Sequence, residues 1–130
     1  MIILSVGLLG IAAMQLVSLK TNHGAYQRSQ ATILAYDMMD RLRANRVIAM
    51  AEGYDITMAT ATPADPGNSP IQTVDIYDWL SNYVEVLLPA GDGSVDCTTA
   101  GLCIVIVQWD DSRGSGITNT TAQFQITAQI

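Results

Sequence analysis

The first nineteen residues, MIILSVGLLGIAAMQLVSL, carry no charge, and the run ends at Lys20. As a helix rising about 1.5 Å per residue, such a stretch is close to 30 Å long, the thickness of a bilayer's hydrocarbon core. A secretory signal peptide would set a basic segment ahead of the apolar run and a small-residue cleavage site, such as Ala12-Ala13, behind it. The residues shown supply only the second, so the run reads as an anchor. A buried core helix is disfavoured because the remaining chain is too small to wrap all its sides.

Beyond Lys20 the apolar pattern turns periodic. Ala31, Ala35, Met38 and Leu42 recur at steps of four, three and four, with Leu34 and Met39 widening the stripe, as one face of a helix requires. Asp37 and Arg41 are four apart and Asp40 and Arg43 three apart, so opposite charges meet on the remaining surface. The first stop is Gly53, which predicts one nearly continuous helix from about residue 2 to about 52. Residues 54–72, rich in Thr, Ala, Pro, Gly and Ser, read as a surface loop. Ile76, Trp79, Leu80, Tyr83, Val84 and Leu87 then predict a short amphipathic helix stopped by Pro89, with Thr73 or Asp75 as its cap.

After Pro89 the period changes. Ala90-Gly91-Asp92-Gly93 is turn chemistry, Ser94 to Asp96 suits a short strand, and Cys103 to Trp109 is β-branched and too short for a helix. Asp110 to Gly116 reads as a hairpin loop, and Ala122, Phe124, Ile126, Ala128 and Ile130 alternate with polar residues as a half-buried strand does. The resulting fold class is α+β, a long N-terminal helix packed on a small antiparallel sheet. Three stretches follow: residues 1–20 as the membrane half of the helix, 21–52 as its amphipathic half, and 53–130 as loop, short helix and sheet.

The formal net charge of -6 is unevenly spread. Residues 1–51 hold Lys20, Arg28, Arg41, Arg43 and Arg46 against Asp37 and Asp40, whereas Glu52 onward holds ten acids and the single base Arg113. An acidic globular part repels phosphate backbones, which argues against nucleic acid as a partner. Cys97 and Cys103 can close a small disulfide loop in an oxidising compartment, contributing about 2 kcal/mol, or remain two thiols in a reducing one. The lone His23 has no nearby second ligand pair for zinc and no serine or cysteine to activate. Asp92, Asp96, Asp110 and Asp111 lack the alternating-oxygen spacing of a calcium loop and read as turn residues. With no acid/base pair or phosphate loop in view, no enzyme, no cofactor and no small-molecule substrate is expected.

The ordered set of segments resembles type IV pilins, and within them the PilV group of minor pilins. The likeness rests on Leu4-Ser5-Val6-Gly7-Leu8-Leu9-Gly10 in the apolar run and on Ala35-Tyr36-Asp37-Met38-Met39-Asp40-Arg41-Leu42-Arg43-Ala44-Asn45 in the helix continuation. It continues through Trp79, Leu88-Pro89-Ala90-Gly91-Asp92-Gly93, Cys97, Cys103 and Val105-Ile106-Val107-Gln108-Trp109-Asp110. The resemblance implies a subunit of the bacterial inner membrane with a periplasmic domain. Its implied partners are other minor pilins and pilus assembly proteins, in a priming or tip complex that reaches the cell surface. Leu4, Gly7, Leu8, Gly10 and Ile11 would pack against membrane or filament helices, and Asp37, Asp40, Arg41 and Arg43 are candidate subunit contacts. The bland reading of those four charges is two exposed intrahelical pairs worth a few tenths of a kcal/mol each. A minor pseudopilin of a type II secretion system has the same layout and is the alternative. The family also carries a basic leader, a Gly at the processing site and an early Glu, so the reading frame is expected to continue upstream of Met1 for about fifteen to twenty codons.

Overall fold

Helix α1 (Ile2–Ala44) runs unbroken through the junction between apolar and amphipathic sequence, roughly 65 Å in all. The computed structural model describes residues 2–58, 63–117 and 120–130, so Met1 and positions 59–62 of the expected loop lie outside the described residues. Residues 3–23 are exposed throughout, and α1 is long and apolar enough to cross a membrane. From Ala31 the picture reverses. Ala31, Leu34, Ala35, Met38, Met39 and Leu42 are all buried, as the stripe requires.

The helix stops short of residue 52. Asn45 leaves helical torsion (φ -121°, ψ 46°), and its side-chain amide donates to the Tyr54 hydroxyl at 3.1 Å. A short α2 (Arg46–Met50) follows and closes with paired bonds, Glu52 N–H to the Ala49 carbonyl at 3.1 Å and Gly53 N–H to the Ile48 carbonyl at 2.9 Å. This is a Schellman ending in which Glu52, not Gly53, takes the left-handed conformation at φ 60°. Gly53 is needed for a different reason. A Cβ there would lie 2.5 Å from Ile48 Cγ2.

The stretch read as a surface loop begins inside the fold. Tyr54 is fully buried, and Ile56 exchanges two backbone hydrogen bonds with Val95, at 2.9 and 3.0 Å. The second helical region starts at Ile71 behind Pro70, so neither Thr73 nor Asp75 caps it. It comprises α3 (Ile71–Tyr77), a π-helical segment (Asp78–Val84) and α4 (Glu85–Leu87). The wider π turn lengthens the repeat of the buried face, so Ile76, Leu80, Val84 and Leu88 go inside at steps of four. Tyr83 and Leu87, inward by a 3.6-residue period, are instead about two-fifths exposed, at 41% and 42%.

Strands β1 (Asp92–Cys97), β2 (Leu102–Asp110) and β3 (Thr121–Gln129) form an antiparallel sheet in that order. Cys103, Val105, Val107 and Trp109 of β2 face inward onto α1, Val95 and Cys97 of β1 are buried in the same core, and Ala122, Phe124, Ile126 and Ala128 extend that face along β3. The outer face is polar along β3, where Gln123 Nε2 donates to Gln108 Oε1 at 2.6 Å. Asp92 and Gly93, expected in a turn, belong to β1, and Asp96 does too. Gly93 sits there because the Trp79 ring lies on the strand; a Cβ would come within 2.4 Å of it. The turn itself lies just before, with Ala90 at φ 47°. Between β2 and β3 the expected loop contains one helical turn, α5 (Ser112–Ser115), which packs on α1.

Candidate functional site on the long helix

Arg41 lies at the edge of the buried stripe of α1, and from there its guanidinium reaches three carboxylates. Nε donates to Asp37 Oδ2 at 3.1 Å, Nη2 to Asp78 Oδ2 at 3.0 Å, and Nη1 to Asp75 Oδ1 and the Asp75 carbonyl, both at 3.4 Å. Its carbon centre also stands 5.8 Å from the centroid of the Tyr83 ring. Behind it, the Tyr54 hydroxyl donates to Asp75 Oδ2 at 2.7 Å while accepting from Asn45. Trp79 completes the seam by donating its indole N–H to the Leu34 carbonyl at 2.9 Å. The charged hub thus fixes the π-helical segment against α1.

The electrostatics follow from this geometry. Burial works to lower the Arg41 pKa, but the hydrogen bonds and charges of Asp78 and Asp37 outweigh it and raise the value above the ordinary arginine range. Asp78 is held below the usual carboxylate range, chiefly by the amide of Asn82 and then by Arg41, against the opposing effect of burial. Burial, and then Asp75 as acceptor, push the Tyr54 phenol up to about 12, although the bond from Asn45 works in the other direction. At neutral pH the hub therefore holds fixed charges and a protonated phenol, a structural arrangement and not a proton relay.

Both expected intrahelical pairs form, yet they differ. Arg43 Nη1 meets Asp40 Oδ1 at 3.1 Å on the open face, with side chains 47% and 72% exposed, whereas the Arg41 side chain is only 20% exposed. The structure draws Arg41 into the fold, keeps Asp37 at its rim with a side chain 45% exposed, and leaves Asp40 and Arg43 facing outward. Asn45, Tyr54, Asp75 and Asp78 were not singled out for this hub; the only sequence signal was the Asp75–Asp78 spacing of three, one helical turn.

On the apolar half of α1, Leu4, Leu8 and Ile11 are 71%, 67% and 56% exposed, and beyond the adjoining turns of the helix backbone nothing described lies within 4 Å of where a Cβ on Gly7 or Gly10 would stand. Cys97 and Cys103 are bonded and are direct cross-strand partners at the β1–β2 turn. His23 Nε2 lies 3.3 Å from the amide nitrogen of the buried Gln27. Asp110, expected in the loop, is the last residue of β2, paired with Thr121, and its carboxylate accepts from the Ser112 N–H at 2.8 Å. Comparison of the chain with protein-family models, curated proteins and solved structures finds no match.

Proposed function

We propose that the chain is a membrane-anchored minor pilin that joins other minor pilins and assembly proteins to prime a type IV pilus, without catalysis. The observation that carries this reading is the division of α1. Residues 3–23 are exposed on every side while Ala31, Ala35, Met38 and Leu42 are completely buried beneath the sheet. A helix built this way holds one half for lipid or neighbouring helices and gives the other to its own domain. In this reading the domain lies in the periplasm, where the Cys97–Cys103 bond persists, and the outward Asp40–Arg43 pair is the charge available to a neighbouring subunit.

The test is deletion of the gene in the bacterium that encodes it, followed by recovery of sheared surface fibres and complementation from a plasmid. Loss of fibres, restored by the wild-type gene, supports the proposal. Normal fibres together with failure of protein secretion would transfer the chain to the type II secretion pseudopilins.

A further inference from the structure

Where the apolar run of α1 ends, the domain sets the turn α5 against the helix. The turn α5 lies on α1 so closely that Gly114 Cα is 3.7 Å from a Cβ built on Gly24, and Gly116 presses on the Lys20 ammonium, 3.2 Å from where its own Cβ would stand. The contact leaves a groove of about 380 Å³ lined by Lys20, Thr21, Gly24, Arg28, Asp111 and Gly114. Lys20 and Arg28 are exposed, about 12 Å apart along the helix axis, and form no ion pair among the described residues. Asp111 Oδ1, buried on the same wall, has no hydrogen-bond partner among them. Arg113, the single base after residue 52, opens onto the adjoining groove with His23 and Gln27. Ile117, next in the chain after Gly116, is 65% exposed.

We propose that this groove binds the headgroup of a bilayer phospholipid, its phosphodiester between Lys20 and Arg28 and its ammonium or hydroxyl toward Asp111. The proposal rests on the membrane-anchored part of the reading above and not on pilus assembly. Depth favours lipid as the source of the phosphate, because Lys20 is the first charge after a run as long as the hydrocarbon core and Arg28 stands two turns farther out, within reach of the headgroup layer. An exposed Ile117, one residue on from the glycine that meets Lys20, adds an apolar side chain of the kind found at a membrane interface. An acidic protein surface would meet the Asp111 carboxylate, whereas a headgroup pairing phosphate with a donor satisfies both signs.

The experiment uses the full chain purified in a maltoside detergent, titrated with phosphatidylethanolamine and read by native mass spectrometry. The wild type is expected to retain one phospholipid, and the Lys20→Gln/Arg28→Gln double variant to bind it about tenfold more weakly or worse, each cation near a lipid surface contributing similarly. Arg46→Gln, at the far end of the domain, controls for net charge. The near-UV dichroism of buried Trp79 and Trp109 reports the fold of each variant; should the double variant lose it, Lys20→Glu and Arg28→Glu singly carry the same test. Equal lipid retention by wild type and folded variants overturns the proposal. So does glycerophosphoethanolamine at millimolar concentration displacing the lipid, which assigns the groove to a free phosphate ester. Both results leave the pilus proposal untouched, since its test reads fibres.

Discussion

Replacing Tyr54 by Phe removes one oxygen from the centre of the molecule and little else. The ring is completely buried and stays in place, so no cavity opens. What is lost is a donated bond to the Asp75 carboxylate at 2.7 Å and an accepted bond from Asn45 at 3.1 Å. A hydrogen bond to a charged partner contributes about 1.5–3 kcal/mol net and a neutral one about 0.5–1.5 kcal/mol. Asp75 keeps Arg41, at 3.4 Å, and is not stranded. The expected destabilisation is therefore about 2–4.5 kcal/mol, or a melting temperature lower by roughly 10 °C or more. Unfolding of the full chain in detergent, followed by near-UV dichroism, measures it. The same variant makes a second forecast. With its pKa at about 12, folded Tyr54 keeps a proton that the unfolded chain releases near pH 10. That contribution is complete below pH 10 and is lost as pH rises through 12, at about 1.4 kcal/mol per pH unit. Phe has no proton to lose, so the gap between the two proteins should close over that window. A difference under about 0.5 kcal/mol at pH 7, or one unchanged up to pH 12, would refute the account.

Three further outcomes are expected. Reducing the Cys97–Cys103 bond should cost about 2 kcal/mol by releasing a short loop in the unfolded chain, read as a lower urea midpoint in dithiothreitol. Gly93→Ala drives a methyl group into the Trp79 ring, and overpacking of this kind costs about 1–3 kcal/mol, visible in denaturation curves and as altered tryptophan fluorescence. Because Asn82 chiefly, and Arg41 after it, hold Asp78 below its ordinary range, that carboxylate stabilises the fold above about pH 4 and ceases to as pH falls through its folded pKa. Arg41→Met should lower stability at pH 7 and flatten this acid limb; an unchanged acid transition would count against the hub.

The long helix and its stripe were legible in the sequence because periodicity reports burial directly: Ala31, Ala35, Met38 and Leu42 need only a regular helix to share a face. The same logic located β2 and β3 within a residue or so. It failed where geometry departs from the regular repeat. Nothing in Asp78–Val84 marks a π segment, and a 3.6-residue period therefore sent Leu87 inward in place of Leu88. It failed also where a residue's reason is a distant contact. Gly93 looks like turn chemistry until the Trp79 ring is seen against it, and Tyr54 looks like the start of a loop until Asn45 and Asp75 meet at its hydroxyl. The two charge pairs on α1 have nearly equal spacing, so sequence ranks them together; only the positions of Asp75 and Asp78 on another helix draw Arg41 inward and leave Arg43 outside.

The exposed half of α1 sets the condition under which any of this operates. Between Ile3 and Leu19 the large apolar residues Ile3, Leu4, Val6, Leu8, Leu9, Ile11, Met14, Leu16, Val17 and Leu19 are each more than half exposed. Burying one such side chain is worth about 1.5–3 kcal/mol, so the segment in water would forgo on the order of 20 kcal/mol, more than the whole stability of a small domain. It must therefore be covered, and the buried stripe of α1 from Ala31 to Leu42 is already occupied by its own domain. Lipid tails and the apolar faces of other helices cover it equally well in hydrophobic terms. Exchange of one cover for the other then turns on packing, where the open space beside Gly7 and Gly10 permits close approach of a second helix. A chain so divided can leave a membrane for an assembly at small net cost while its domain stays folded, and this is the physical requirement that the proposed role in fibre assembly places on it.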